Sequence, residues 1–558
     1  MDVAALRELV AAEQERFGVP GVALAVVVDG EVALCEGFGF RDLEAQEPVT
    51  ADTHFPIASD SKAFTAALLC QAAAEGGIDL DQPVRTLLPW FEMRDPHATA
   101  LVSARDLLAH RTGLPRHDFI WYGKADVSNE SVARALRHLE PSKPLRQLWQ
   151  YNNLCFLTAG HLTEVLSGLE WGQALRDKIL APLGMSATVL SPHDPSVKAV
   201  AQPYKAVKGS PQLQQIPEKN EAGPAGGVVS TAHDMAQWLL ARLGARPDVL
   251  PEAALAQLHA PAMIGGVGAL PFDERQPMGY ALGCQVESYR GTRVVRHGGN
   301  LIGYSSDVTV VPGHGIGVAI LTNLHATALR DALPLMIIDR LLGHEPAPWG
   351  ERYHALMTAV VHGREEALEH HTSAAAGSPA GRDLEEYVGE YSHPAYGPFR
   401  VTRDGDRLVP DFHGLGELLR LDHRNNEAYD LFVVEFDMAL PLGFTQDKDG
   451  RVDGLTVGLE PSVAPIRFER VPDAADPAVL AALPGAYALG PLTLTVVRRG
   501  DELVAAVPSA GSVTLVSAGG NRFTSPTMPS LSLEAVVAGD GTVTELVVDP
   551  VGVFRRQG

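Results

Sequence analysis

The chain is poor in lysine, with nine among 558 residues, and poorer in cysteine, with four. Cys35, Cys70, Cys155 and Cys284 lie far apart in apolar surroundings without C-x-x-C spacing, so they read as buried free thiols rather than bridges or a zinc site. That usage fits a reducing cytoplasm. No apolar run approaches the roughly 18 residues of a membrane span, and runs such as Val22 to Val28 stop early. The opening "MDVAALRELVAAEQERFG" is acidic and amphipathic, which predicts a helix and not a signal peptide. Positive charge is in deficit: the formal net charge of −23 argues against a nucleic-acid partner. H-E-x-x-H spacing is missing, and so is the G-x-S-x-G elbow of α/β-hydrolases. His110, His117 and Asp118 therefore read as ordinary hydrogen-bonded side chains, His370-His371 as solvent-facing, and no metal or cofactor is assigned.

The length favours several domains, and a 46% hydrophobic content can fill their cores. Asp29-Gly30 between "VALAVVV" and "EVALCEGFGF" predicts a two-residue hairpin. Ser103 with Asp106, and Ser230-Thr231 with Asp234, predict helix starts, the second helix stopping at Gly244. Strands return near Gly279 and are followed by a helix over about 325–342. Strands from both ends of one segment with helices between them give an α/β or α+β domain. The stretch 346–381 reads as a helix and linker.

Beyond it the sequence repeats. "VGEY" (388–391) matches "PGAY" (484–487), "GDRLV" (405–409) matches "GDELV" (500–504), and "RFER" (467–470) resembles "VFRR" (553–556). The shared order implies two β modules of about ninety residues, the size of small barrels.

The chemistry lies in "FPIASDSKAFTAALLCQAAAEGG", where Ser59 precedes Lys62 by one helical turn. A serine hydroxyl needs a base to become a nucleophile, and a lysine serves if burial and nearby cations lower its pKa; the apolar run Ala63 to Cys70 supplies burial. A helix entrance also favours developing negative charge. An isolated S-x-x-K is more often a cap beside a solvated lysine. Here it has company: "WQYNNLCF" offers the Tyr151 phenol and the Asn153 amide, and "VVRHGGN" offers His297 on a strand with two glycines that let a substrate lie against the backbone.

Ser59-x-x-Lys62, Tyr151-x-Asn153 and His297-Gly298-Gly299, in that order, resemble the three motifs of the serine β-lactamase and penicillin-binding-protein-like superfamily, in particular its S12-like peptidase branch. "DLLAHRTGLPRHD" (106–118) and "PAGGVVSTAHDMAQW" (224–238) are also similar to that family. The resemblance implies an α+β fold: a β-lactamase-like catalytic domain over 1–345, whose antiparallel sheet takes strands and helices from both chain ends around an all-helical insertion. Two small antiparallel, lipocalin-like β-barrel domains, 382–473 and 474–558, follow in the layout of D-aminopeptidases. In those enzymes the last domain sends a loop toward the active site, and Gly519-Gly520-Asn521 and Pro526–Pro529 are the candidate tips.

Residue by residue, the resemblance implies that Ser59 is acylated, that Lys62 and Tyr151 manage its proton, that Asn153 positions substrate, and that the oxyanion sits between the N–H groups of Ser59 and Asn300. His297 replaces a lysine. Gly298 replaces a hydroxyl residue that helps hold a substrate carboxylate, which argues against tight binding of β-lactams. The expected function is a cytoplasmic serine hydrolase acting through an acyl-enzyme on a small peptide, amide or ester. The leading form is an aminopeptidase or amidase for D-residue-containing substrates. A carboxylesterase is the alternative, followed by weak β-lactamase or penicillin-binding activity and a non-catalytic scaffold. Neither nucleic acid nor membrane is an expected partner; a homo-oligomer is admitted.

Overall fold

The computed structural model describes residues 2–124, 127–216, 223–264, 272–373, 381–472, 474, 476–500, 502–508 and 511–557. Its first body is built on an eight-stranded antiparallel sheet. The strand order is Glu47–Pro48, Glu31–Asp42, Gly21–Val28, Ile316–Thr322, Tyr304–Val311, Thr292–Leu301, Gln285–Tyr289 and Arg275–Tyr280. The two ends of this body's segment meet in the middle of the sheet, where Val22 pairs with Thr322 and Val28 with Ile316.

Gly21–Val28 is covered on both faces, which explains its unbroken apolar run. Val22, Leu24 and Val26 pack with Leu6, Leu9 and Val10 of the helix Val3–Arg16 and with Leu333 and Ile337 of the helix Leu329–Leu342. Ala23, Ala25 and Val27 join the other layer, which holds Phe64 and Trp238. Asp29 and Gly30, both at positive φ, form the expected hairpin turn. Ser103 and Asp106 form a reciprocal capping box, and Thr231 caps the helix Ala232–Arg242. Cys70, Cys155 and Cys284 are buried free thiols, whereas Cys35, expected to be buried, is only partly so because it lies on the half-covered strand next to the sheet edge.

The helix Trp349–Ser373 leads away from this body, while residues 374–380 of the expected linker and the side chains of His370-His371 lie outside the described residues. Two eight-stranded antiparallel units follow. In the first, spanning Gly389–His393 to Ile466–Val471, the first strand pairs with the last and the sheet rolls up except for a seam between Arg407–Phe412 and Leu419–Asn425. The second, Gly485–Leu489 to Gly552–Arg556, is a closed barrel.

The matching sequence segments carry one structural device. The Tyr391 hydroxyl donates to Tyr387 O and the Tyr487 hydroxyl to Leu483 O, each four residues back. Last-strand arginines close the opening turns, Arg470 donating to Glu386 O and Val388 O, and Arg556 to Ala482 O and Pro484 O. Each guanidinium also lies over its module's tyrosine ring, at 5.9 and 5.6 Å. Gly389 and Gly485 recur because a Cβ at either would crowd that arginine, at 3.3 and 3.0 Å.

Among the described residues, the tip expected to approach the first body contacts its own barrel. Gly520 O accepts from Asp476 N and the Asn521 side chain donates to Ala535 O, so that tip folds back on its own barrel. Residues 526–527 form a tight turn between two strands. Among the described residues, the side-chain contacts tying this barrel to the rest run to a turn of the first barrel: Lys448 to Asp549 at 2.6 Å, and Arg522 to Asp449 at 3.8 Å.

Candidate active site

Ser59 does not start the long helix but sits in the single 3-10 turn Ala58–Asp60 that leads into the helix Ser61–Ala74. Ala58 holds a left-handed φ of 46°, a strained value for a residue with a Cβ, immediately before it. The turn is fixed by the stretch 224–238: Ile57 N donates to Val228 O, and Val228 N to Ser61 Oγ. Every residue of the helix from Ser61 to Gln71 is buried, Lys62 included.

Three of the expected groups meet at one oxygen. Lys62 Nζ lies 3.1 Å from Ser59 Oγ, and the Tyr151 hydroxyl donates to the same oxygen at 2.7 Å. Lys62 Nζ also donates to Ala225 O at 2.6 Å and lies 4.7 Å from the Tyr151 ring centre. Burial, and then the Arg116 guanidinium, hold the Lys62 amine well below its ordinary pKa, favouring the neutral form. With one N–H directed to Ala225 O, a neutral amine keeps its lone pair for the serine proton. Burial pushes the Tyr151 phenol up, so it stays protonated.

Tyr151 is set by its neighbours. Asn152, not singled out by the sequence reading, caps the helix Asn153–Ser167 through Cys155 N, takes its own N–H to His110 Nδ1, and gives its amide to Pro115 O. Asn153 opens that helix, and its amide donates to Asp118 Oδ1 at 2.8 Å. Asp118 also holds Arg116 at 2.7 Å, and Arg116 lies 5.0 Å from the Tyr151 ring centre.

His297 lies on the strand Thr292–Leu301, its ring centre 6.1 Å from that of Tyr151. Its Nδ1 lies 2.9 Å from Gly298 O, which fixes the proton there and leaves Nε2 a buried acceptor without a partner among the described residues. Burial and then Lys62 lower its pKa to about 3, so the ring is neutral. Pairing with Gln285–Tyr289 ends at Arg296, leaving the 297–301 edge open beside the serine turn. Leu301 and Tyr304 close a two-residue hairpin, and the antiparallel alternation turns the Asn300 N–H to that open edge. Gly299 is obligatory, because a Cβ would fall 2.1 Å from Ile57 O.

Sequence reasoning missed what fills the space beside Gly298. The Arg330 guanidinium lies 3.2 Å from where its Cβ would be and donates to Gly299 O at 2.5 Å. With its amide oxygen facing Arg330, Asn300 accepts from that guanidinium at 2.9 Å. Asp60 and Ser306 were also missed. Ser306 Oγ donates to Ile57 O at 2.8 Å and lies 2.6 Å from Asp60 Oδ2, whose carboxyl burial and Asp307 push well above its usual range.

Fold and site together define a serine hydrolase of the β-lactamase and penicillin-binding-protein class. The chain belongs to the Beta-lactamase family, whose sequence model matches residues 6–339. A second model, described only as a Domain of unknown function (DUF3471), matches residues 373–470. The chain is 32% identical to Unguisins hydrolase ungD' of Aspergillus campestris over 483 residues, 82% of this chain and 89% of that one. It is 30% identical to Penicillin-binding protein 4 of Amycolatopsis lactamdurans, covering 56% of this chain and 84% of the other. Among solved structures, the octameric penicillin-binding protein homologue from Pyrococcus abyssi shares the fold at a TM-score of 0.55 and 22% identity, over 84% of this chain and 100% of that one. A D-stereospecific amidohydrolase from Streptomyces gives 0.50 at 25% identity, over 62% and 100%. No helix among the described residues is long and apolar enough to cross a membrane.

Proposed function

We propose that the protein is an amidase or aminopeptidase for short D-residue-containing peptides or amino-acid amides, working through an acyl-enzyme at Ser59. The observation that carries this reading is the single oxygen held 3.1 Å from a buried, neutral-leaning amine and 2.7 Å from a phenol that stays protonated. The amide preference draws support from relatives described as an unguisins hydrolase and a D-stereospecific amidohydrolase.

Ser59 Oγ attacks the substrate carbonyl carbon while Lys62 Nζ takes its proton. The carbonyl oxygen, now negative, is held by the N–H groups of Ser59 and Asn300. As the C–N bond breaks, Tyr151 gives its proton to the leaving amine and regains one from the Lys62 ammonium, leaving an ester on Ser59. Water then attacks that ester by the same steps reversed, releasing the acid and free Ser59. Asn153 faces the substrate beside Asp118. Gly298 and Gly299 let it lie along the open strand edge, and neutral His297 offers an acceptor.

Ser59→Ala should cut hydrolysis of D-alanine p-nitroanilide by at least about a thousandfold. Activity persisting in that variant removes the nucleophile assignment. Turnover of short p-nitrophenyl esters with D-anilides untouched would make the enzyme an esterase. Slow accumulation of a penicilloyl adduct by intact mass would place it with the penicillin-binding proteins.

A further inference from the structure

The loop that carries Arg116 and Asp118 to the site is held by the first barrel. Its central residue, His117, is fully buried at a left-handed φ of 48°. Its N–H and both ring nitrogens are taken. Its N–H donates to Glu460 Oε2 at 3.2 Å, Nδ1 lies 2.7 Å from the Tyr396 hydroxyl, and Nε2 lies 3.1 Å from Glu140 O. A carbonyl only accepts, so Nε2 carries the proton and the Tyr396 hydroxyl donates to Nδ1. Two of the three partners, Glu460 and Tyr396, belong to the barrel, and both are buried. The Glu460 carboxylate is anchored in turn by Ser462 N, at 3.0 Å.

The residues on either side of His117 are the ones that touch the site: Arg116 lies over the Tyr151 ring, and Asp118 binds Asn153 and, at 3.0 Å, the Trp121 indole N–H. The rest of the loop is fastened to the same unit. Leu415 packs on Gly123, His413 Nδ1 lies 3.0 Å from Tyr122 O, and the Phe119 ring meets Phe412 at 6.4 Å. A residue in the left-handed region keeps that conformation only where its surroundings over-determine it, and here the barrel supplies most of them.

We propose that the first barrel, the segment matching the domain of unknown function, is a component of the active site: Glu460 and Tyr396 are positioning residues that lock His117 and thereby place Arg116 and Asp118 against Tyr151 and Asn153. This rests on the Ser59 reading but goes beyond it, because it gives a module 343 residues away in sequence a part in the reaction.

The test uses the full chain with Glu460→Ala, Glu460→Gln and Tyr396→Phe. Phosphonylation of Ser59 by a fluorophosphonate probe should slow by about ten- to a hundredfold in Glu460→Ala, as expected when reacting groups are misplaced by about an ångström, with kcat carrying the loss on the anilide. Glu460→Gln keeps an acceptor oxygen for the His117 N–H and should restore most of the rate. Tyr396→Phe, a change of one hydroxyl, should show a smaller loss of the same kind if Glu460→Ala does not fold. The Trp121 indole N–H resonance should shift in both disruptive variants, a readout that needs no turnover. Folded variants with unchanged labelling rates and an unmoved Trp121 signal would overturn the proposal. A Trp121 signal that shifts in the variants, with no probe labelling even the wild type, would instead sink the Ser59 reading and leave the clamp standing.

Discussion

The two barrels have the same number of strands and the same tyrosine and arginine closure, yet they stand in opposite relations to the rest of the chain. The first shares one continuous apolar cluster with the body that holds Ser59: Tyr396, Phe399, Phe412 and Phe468 are contiguous with Phe119, Ile120 and Leu139. The second has a core of its own, with Tyr487, Phe523 and Phe554, and meets its neighbour through exposed charges. The shared closure thus marks a common scaffold and not a common role. What a barrel does here is decided by side chains outside the repeated motif, such as Glu460 and Phe412, and not by the motif itself.

The sharpest way to break this comparison is to open each core by the same amount. Phe412→Ala and Phe554→Ala both remove a buried ring, at about 3–5 kcal/mol each. In Phe412→Ala, the calorimetric transition that coincides with loss of Ser59 labelling should move down. In Phe554→Ala a separate transition should move while the labelling rate stays put. Coincident loss of activity in both variants would mean that the cores are coupled and that the comparison is wrong.

The features legible in the sequence were those made by near neighbours. Asp29-Gly30, the Ser103 and Thr231 caps and the spacing of Ser59 and Lys62 each follow from residues a few positions apart. The repeat was legible because its glycine, tyrosine and arginine serve one closure. What stayed hidden runs across the chain. Ser306 reaches Asp60 over 246 positions, Glu460 reaches His117 over 343, and no local pattern encodes either. Where the tip of the last domain lies was hidden for the same reason. Its glycines did mark a tip, but which surface a tip meets depends on how whole units pack, and here it meets its own barrel.

A smaller effect sharpens the site side of the comparison. Arg116 is the second cause, after burial, of the low pKa of Lys62. On the proposed reading the base is the neutral amine, so activity should rise with pH as Lys62 loses its proton. Removing a nearby cation stabilises the ammonium and raises its pKa, so Arg116→Ala should move the acid limb of kcat/KM to higher pH and lower the rate at neutral pH several-fold. A limb that moves to lower pH, or does not move, would show that another group limits the rate.

The smallest effect belongs to the second barrel. Among the described residues Lys448 and Asp449 make the charge contacts to it, and the Lys448–Asp549 pair is widely exposed on both sides, with 74% and 48% of the side chains accessible. Exposed pairs are weak and screened by salt, so they set how firmly the barrel is tethered rather than whether anything folds. Lys448→Ala combined with Asp449→Ala should widen the distribution of barrel positions seen by small-angle scattering, as raised salt should in the wild type, and leave the anilide rate unchanged. A fall in kcat/KM in the double variant, reproduced by salt alone, would mean that the second barrel reaches the substrate in solution; the contrast between the modules would then be one of degree.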